Sequence, residues 1–160
     1  MRVIPHTFSL PGLAAGAKLL YFGATGALPA RLTAEARSLK IEHVSPEALV
    51  HQEICRRTPL GRQAQQARQH GAAVPDQTLL AILRKWFWAR KPDAGFLLEG
   101  FPATLLHARV FDEWLEARDE ALTGCLCAGL RPPAVKPATV EHYRTFGLLL
   151  EFEPAALALA

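Results

Sequence analysis

Cysteine is scarce in this sequence: Cys55, Cys125 and Cys127 are the three in 160 residues. An odd and sparse set excludes a disulfide framework as the source of stability. Cys125-x-Cys127 has one residue where a C-x-x-C redox or metal site needs two. It lies in ALTGCLCAGL (121–130), which reads as a strand, so both thiols fall on one face as small buried hydrophobes. Long hydrophobic runs are also missing, and nothing approaches the roughly 18–20 apolar residues of a membrane span. The N-terminal stretch is broken by Pro5 and Pro11, with Lys18 ahead of the first long apolar run. That is a poor secretory signal, and a cytoplasmic location is expected. An excess of one charge is lacking too. The net charge is +3 and the pI about 9.0, spread along the chain. Such a balance favours small anionic partners and excludes the concentrated basic footprint of a nucleic-acid binder.

What is present suits a single soluble domain with a real core: half of the residues are hydrophobic and about a fifth charged. Residues 1–17, rich in proline, glycine and alanine, read as an N-terminal extension to a domain spanning 18–160. Strands are expected at 18–23, 41–45, 95–100, 121–130 and 148–154. Helices are expected at 31–38, 45–54, 61–71, 76–91, 104–119 and 140–147, with Thr58-Pro59-Leu60-Gly61 as a break and RPPAVKPA (131–138) as a connector. Ser45 is placed to cap a helix that Pro46 opens, and Gly71 to close one. Strands alternating with helices predict an α/β fold with a parallel sheet flanked by helices. GFLLEG (95–100) is apolar on both faces, as a central parallel strand should be.

The stretch GATGALPARL (23–32) follows the first strand and precedes a helix, which is the setting of a phosphate-binding loop. The usual loop is G-x-x-x-x-G-K-[ST]. Here Leu28 replaces the second glycine and Pro29 the lysine, so a charge and a backbone N–H are both lost.

Four further stretches occur in order: HVSPEALVHQEI (43–54), TPLGRQAQQARQHGAAVPDQ (58–77), GFLLEGFPATLLHARVFDEWL (95–115) and HYRTFGLLLEF (142–152). Together with the GATG turn they resemble the adenylate kinase family of nucleoside monophosphate kinases. The resemblance covers about residues 19–109 and resumes weakly at 139–153. It implies a P-loop NTPase-type parallel sheet of about five strands, an AMP-binding-type helical subregion at 44–76, and phosphoryl transfer from ATP to AMP with magnesium. Such transfer is positioning plus electrostatic stabilisation of the charged phosphoryl oxygens, so the cations matter most.

Residue by residue, the resemblance maps a phosphate-loop remnant onto Gly23, Ala24, Thr25, Gly26, Ala27 and Arg31, the last falling where a metal-binding hydroxyl would stand. It maps an acceptor-nucleotide pocket remnant onto His51, Val74, Glu99, Gly100, Phe101, Pro102 and His107. The departures are systematic. The family's threonine and arginine after the second strand are Pro46 and His51 here. Its FPRT arginine is Ala103. Its adenine-reading glutamine is His107, and its aspartate near the metal is Glu99. The arginine-bearing lid after the fourth strand is missing, leaving Arg131 and Arg144 as the only arginines beyond it.

His51, His107 and Glu99 pose a choice between a new site and ordinary pocket-lining residues, and no metal ligand or catalytic residue is assigned. In KWFWAR (85–90) the rings point different ways, so core packing with one exposed tryptophan is expected. Glu113, Glu116, Asp119 and Glu120 read as a solvated acidic helix face. The leading functional expectation is an adenylate kinase-like protein with degenerate sites, little or no phosphotransfer, and weak nucleotide binding or an interaction role. The alternatives are an active, diverged nucleoside monophosphate kinase using ATP and AMP with magnesium, and a module that homodimerises or engages a protein partner.

Overall fold

The computed structural model describes residues 15–23, 30–128 and 135–152. Five strands, β1 (Lys18–Phe22), β2 (Glu42–Val44), β3 (Phe96–Glu99), β4 (Gly124–Ala128) and β5 (Leu149–Phe152), form one sheet in the order β2-β3-β1-β4-β5. β1 runs parallel to β3 and β4, and β4 parallel to β5. The helices among the described residues are α1 (Ala30–Ser38), α2 (Pro46–Cys55), α3 (Pro59–Gln69), α4 (Asp76–Ala89), α5 (Leu105–Ala117) and α6 (Pro137–Thr145). This is the α/β architecture expected of a P-loop NTPase-like fold. None of the described helices is long and apolar enough to cross a membrane.

The chain divides into a sheet unit, residues 1–43 with 92–160, and a helical unit, Val44–Lys91. In the sheet unit every residue of β1 is buried. Its register sets the layers. Leu19 and Tyr21 share a face with Leu97 and Leu126, against Leu32 and Ala36 of α1. On the opposite face Leu20 aligns with Leu98 and Cys125, and Phe22 with Cys127. There Phe96 meets Phe111 of α5 at 6.1 Å and Phe22 meets Tyr143 of α6 at 5.7 Å between ring centroids. Both thiols of β4 are therefore core groups. Burial, with the nearby Asp112 and Cys127 charges adding to it, pushes the Cys125 thiol well above its ordinary range.

Glu120 departs from the sequence reading. It is not part of a solvated acidic face: its carboxylate is buried, 3.1 Å from Arg118 Nε and 3.8 Å from Lys18 Nζ. Lys18 also reaches Asp93 at 3.2 Å. The chain thus brings a cation to a carboxylate that the local pattern leaves exposed, which is the condition for burying either charge.

In the helical unit the sequence signals hold with one shift. Ser45 caps α2, its Oγ accepting from Ala48 N at 3.2 Å. The expected break at 58–61 is instead the start of α3. Thr58 is its cap, accepting from Gly61 N at 3.0 Å, and Pro59 occupies the first turn, where its missing N–H costs nothing. Likewise α6 begins at Pro137, inside the expected connector. Gly61 lets α2 and α3 touch: a Cβ there would lie 2.0 Å from the Glu53 carbonyl oxygen. Glu53 is buried and held by Lys85 Nζ at 2.7 Å and the Thr58 hydroxyl at 2.7 Å. Burial pushes its carboxyl upward, but these hydrogen bonds and the charges of Lys85 and Arg56 outweigh that and hold it below the usual range. On α4, Trp86 and Phe87 are buried with Arg90 over their rings, while Trp88 is 42% exposed.

Candidate nucleotide site

In an open parallel sheet, ligands gather outside the carboxyl ends of the strands. Here β1 ends at Phe22, directly before Gly23, and α1 begins at Ala30, so a strand and a helix flank the segment expected to be the phosphate loop. Ala24, Thr25, Gly26 and Ala27 lie outside the described residues, as do Leu28 and Pro29. Arg31 is in the first turn of α1. At Gly23 a Cβ would come within 2.6 Å of the Tyr21 ring and hydroxyl. Tyr21 therefore packs against Gly23. Burial, then the charges of Glu99 and Cys127, push its phenol upward, so it stays a neutral hydroxyl.

The second edge of the site is the end of β3, paired with β1 through Tyr21 and Glu99. Glu99 Oε2 lies 3.1 Å from His43 Nε2 and accepts from it when that nitrogen carries the proton. Gly100 follows with φ of 82°, a left-handed conformation glycine adopts freely, and the Phe101–Pro102 peptide is cis. This turn folds Phe101 into the interior. Its ring stacks on His107 at 5.3 Å and on Trp114 at 6.4 Å. His107 is buried, its backbone N–H donating to the Thr104 hydroxyl that caps α5. Gly100, Phe101, Pro102 and His107 thus form one packed turn beside Glu99.

His51 and Val74 belong to the helical unit. His51 is exposed on α2, its Nε2 3.5 Å from the Cys55 thiol one turn later. Val74 lines a cavity of about 320 Å³ with Val50, Ala72 and Leu79. Arg68 and Glu47 border the same cavity and pair at 3.2 Å. Among the described residues no group of three His, Cys, Asp or Glu is placed to hold a metal ion.

The fourth strand passes to α6 through residues 129–136 alone. Arg131 lies outside the described residues, and Arg144 pairs with Glu141. Two residues beside the candidate site, Tyr21 and His43, are not among the expected site residues. Their nearness to the loop and to Glu99 follows from strand neighbours that only the folded sheet supplies.

Comparison with known proteins finds similarity to adenylate kinases. An adenylate kinase of Moorella thermoacetica is 38% identical over 84 residues, covering 52% of this chain and 39% of the relative. One from Clostridium botulinum is 34% identical over 100 residues, 62% of this chain and 45% of the relative. One from Clostridium kluyveri is 32% identical over 108 residues, 66% and 49%. The chain is related to the adenylate kinases. It spans less than half the length of each of these curated relatives. No protein-family model matches it.

Proposed function

We propose that this chain is an adenylate kinase-like protein that binds adenine nucleotides weakly and has lost most or all phosphotransfer. The observation that carries the reading is Leu28-Pro29 in the loop between β1 and α1. The leucine puts a side chain where phosphate wrapping needs bare backbone. The proline removes one N–H donor and the cation that meets the transferred phosphate. The connection 129–136, too short for an arginine-bearing lid, and the replacement of acceptor arginines by His51 and Ala103 support it. A single arginine acting on the transition state is worth about 10³–10⁵ in rate, so the combined losses leave little activity. On this reading residues 44–76 are the acceptor subregion, the remnant residues of the loop and of the β3 turn contact the nucleotide, and the protein works in the cytoplasm.

Thermal denaturation with ATP, ADP, AMP and a bisubstrate dinucleotide, with and without magnesium, tests it. A ligand at 100 times its Kd stabilises the fold by about 2.7 kcal/mol. A small, saturable shift with an adenine nucleotide, and no AMP-dependent turnover, is expected. No shift at millimolar nucleotide overturns nucleotide binding. Turnover at rates usual for kinases, on the order of 1–100 s⁻¹, overturns the loss of catalysis. It would favour the active alternative, for which Arg31 in the first turn of α1 is the candidate substitute cation.

A further inference from the structure

The sheet unit carries a second cavity, at the end of the sheet opposite the candidate nucleotide site. It has a volume of about 620 Å³, within the roughly 300–1,000 Å³ of small-molecule sites. Leu122, just before β4, and Leu148, just before β5, lie on its wall, so it opens at the amino ends of these strands. Leu115 and the ring of Tyr143 complete an apolar floor. The rim is acidic. Four carboxylates border the cavity, and their partners sort them. Glu120 is neutralised by Arg118 and Lys18, and Asp112 is held by His142 Nε2 at 2.6 Å. Glu116 and Asp119, at the C-terminal end of α5, are exposed and have no ion-pair partner among the described residues. The helix terminus adds its own partial negative charge. Across the opening, Phe146 is 65% exposed and stacks edgewise on His142 at 5.1 Å. The Tyr143 hydroxyl is buried with no hydrogen-bond partner among the described residues.

We propose that this cavity binds a small organic cation: an ammonium group on an apolar or aromatic body. The body would fill the leucine and tyrosine floor. The ammonium would sit between Glu116, Asp119 and the face of Phe146, where carboxylates and an aromatic ring attract a cation together. A neutral ligand would leave the two carboxylates unanswered, and an anion would be repelled by them.

Isothermal titration of the full chain with phenethylammonium, its neutral isostere 2-phenylethanol and the anionic 3-phenylpropionate tests this. Saturable binding of the ammonium, at least tenfold tighter than of the alcohol and with no binding of the anion, is expected. Neutralising both carboxylates (Glu116→Gln with Asp119→Asn) should weaken the ammonium about tenfold and bring it level with the alcohol. Asn suits the left-handed backbone at Asp119, φ 56°, so this variant keeps the fold. An unchanged melting temperature checks that it does. Phe146→Ala should weaken the ammonium several-fold. Equal binding of ammonium and alcohol, an unaffected double variant, or no binding of any probe overturns the proposal. So does self-association of the chain that Phe146→Ser abolishes, because the face would then belong to a second copy. The titration contains no nucleotide, so failure here leaves the nucleotide reading standing, and the reverse.

Discussion

Replacing Gly61 by alanine isolates the contact on which the helical unit depends. The added Cβ would stand 2.0 Å from the Glu53 carbonyl oxygen, 2.3 Å from its carbon and 2.7 Å from Ile54 N. An ordinary Cβ contact needs more than about 3.4 Å, so α2 and α3 must separate by roughly an ångström. All three obstacles are backbone and cannot turn aside. Overpacking of this kind costs about 1–3 kcal/mol. The move would also strain the cap in which Thr58 accepts from Gly61 N and donates to Glu53. Against this, alanine gains up to about 1 kcal/mol over glycine within a helix. The clash wins on these magnitudes, and a net loss of about 1–2 kcal/mol is expected, or several degrees in Tm. Gly71→Ala is the control. Nothing lies within 4 Å of a Cβ there, and only the φ of 72° is strained, so it should cost about 1 kcal/mol. Urea and thermal denaturation of both variants read the difference. A Gly61→Ala protein as stable as the parent, or more so, would refute the close approach of α2 to α3.

Other consequences follow from the same contacts. Glu53 has a folded pKa below its unfolded value. Its contribution is therefore fully present above about pH 4.5 and is lost as pH falls through the lower folded value. Glu53→Gln should flatten that part of a stability-against-pH curve, and an unchanged slope would remove Glu53 as its source. Lys18→Met removes a cation 3.8 Å from the buried Glu120 carboxylate and should lower stability by about 1–3 kcal/mol in denaturant titrations. Thiol labelling of the native protein should show one fast cysteine, Cys55, and two protected ones, Cys125 and Cys127, which mass spectrometry of the labelled peptides would locate. Restoring the loop with Leu28→Gly and Pro29→Lys should strengthen ATP binding at least tenfold. An unchanged thermal shift would mean that the loop is not what limits binding.

Much of the fold was legible because its signals are local. Ser45-Pro46 caps α2 through atoms three residues apart. Gly71 ends α3 because only its own φ is involved, and GFLLEG reads as a central strand from apolar residues on both faces. The order TPLG, VPD and GFLLEGFP carried the kinship to adenylate kinases, and Leu28-Pro29 carried the expectation of a damaged phosphate loop. The two shifted helix starts, at Pro59 and Pro137, show the same locality. A proline reads as a breaker until it sits in a first turn, where it is harmless.

The tertiary structure decided what depends on partners distant in the chain. The sequence order of strands does not place β3 beside β1, and that neighbourhood is what sets Glu99 next to Tyr21. Glu120 reads as solvent-facing until Lys18 arrives from across the sheet unit. His107 reads as a pocket residue, yet it stacks on Phe101, because a left-handed glycine turns that ring inward. The cavity at the amino ends of β4 and β5 has no motif at all: four carboxylates on α5 and its trailing turn become a rim only when α6 brings Phe146 across from them. Local propensity writes elements into the sequence, while burial and charge pairing are properties of the fold, because each needs a second group that only folding brings near.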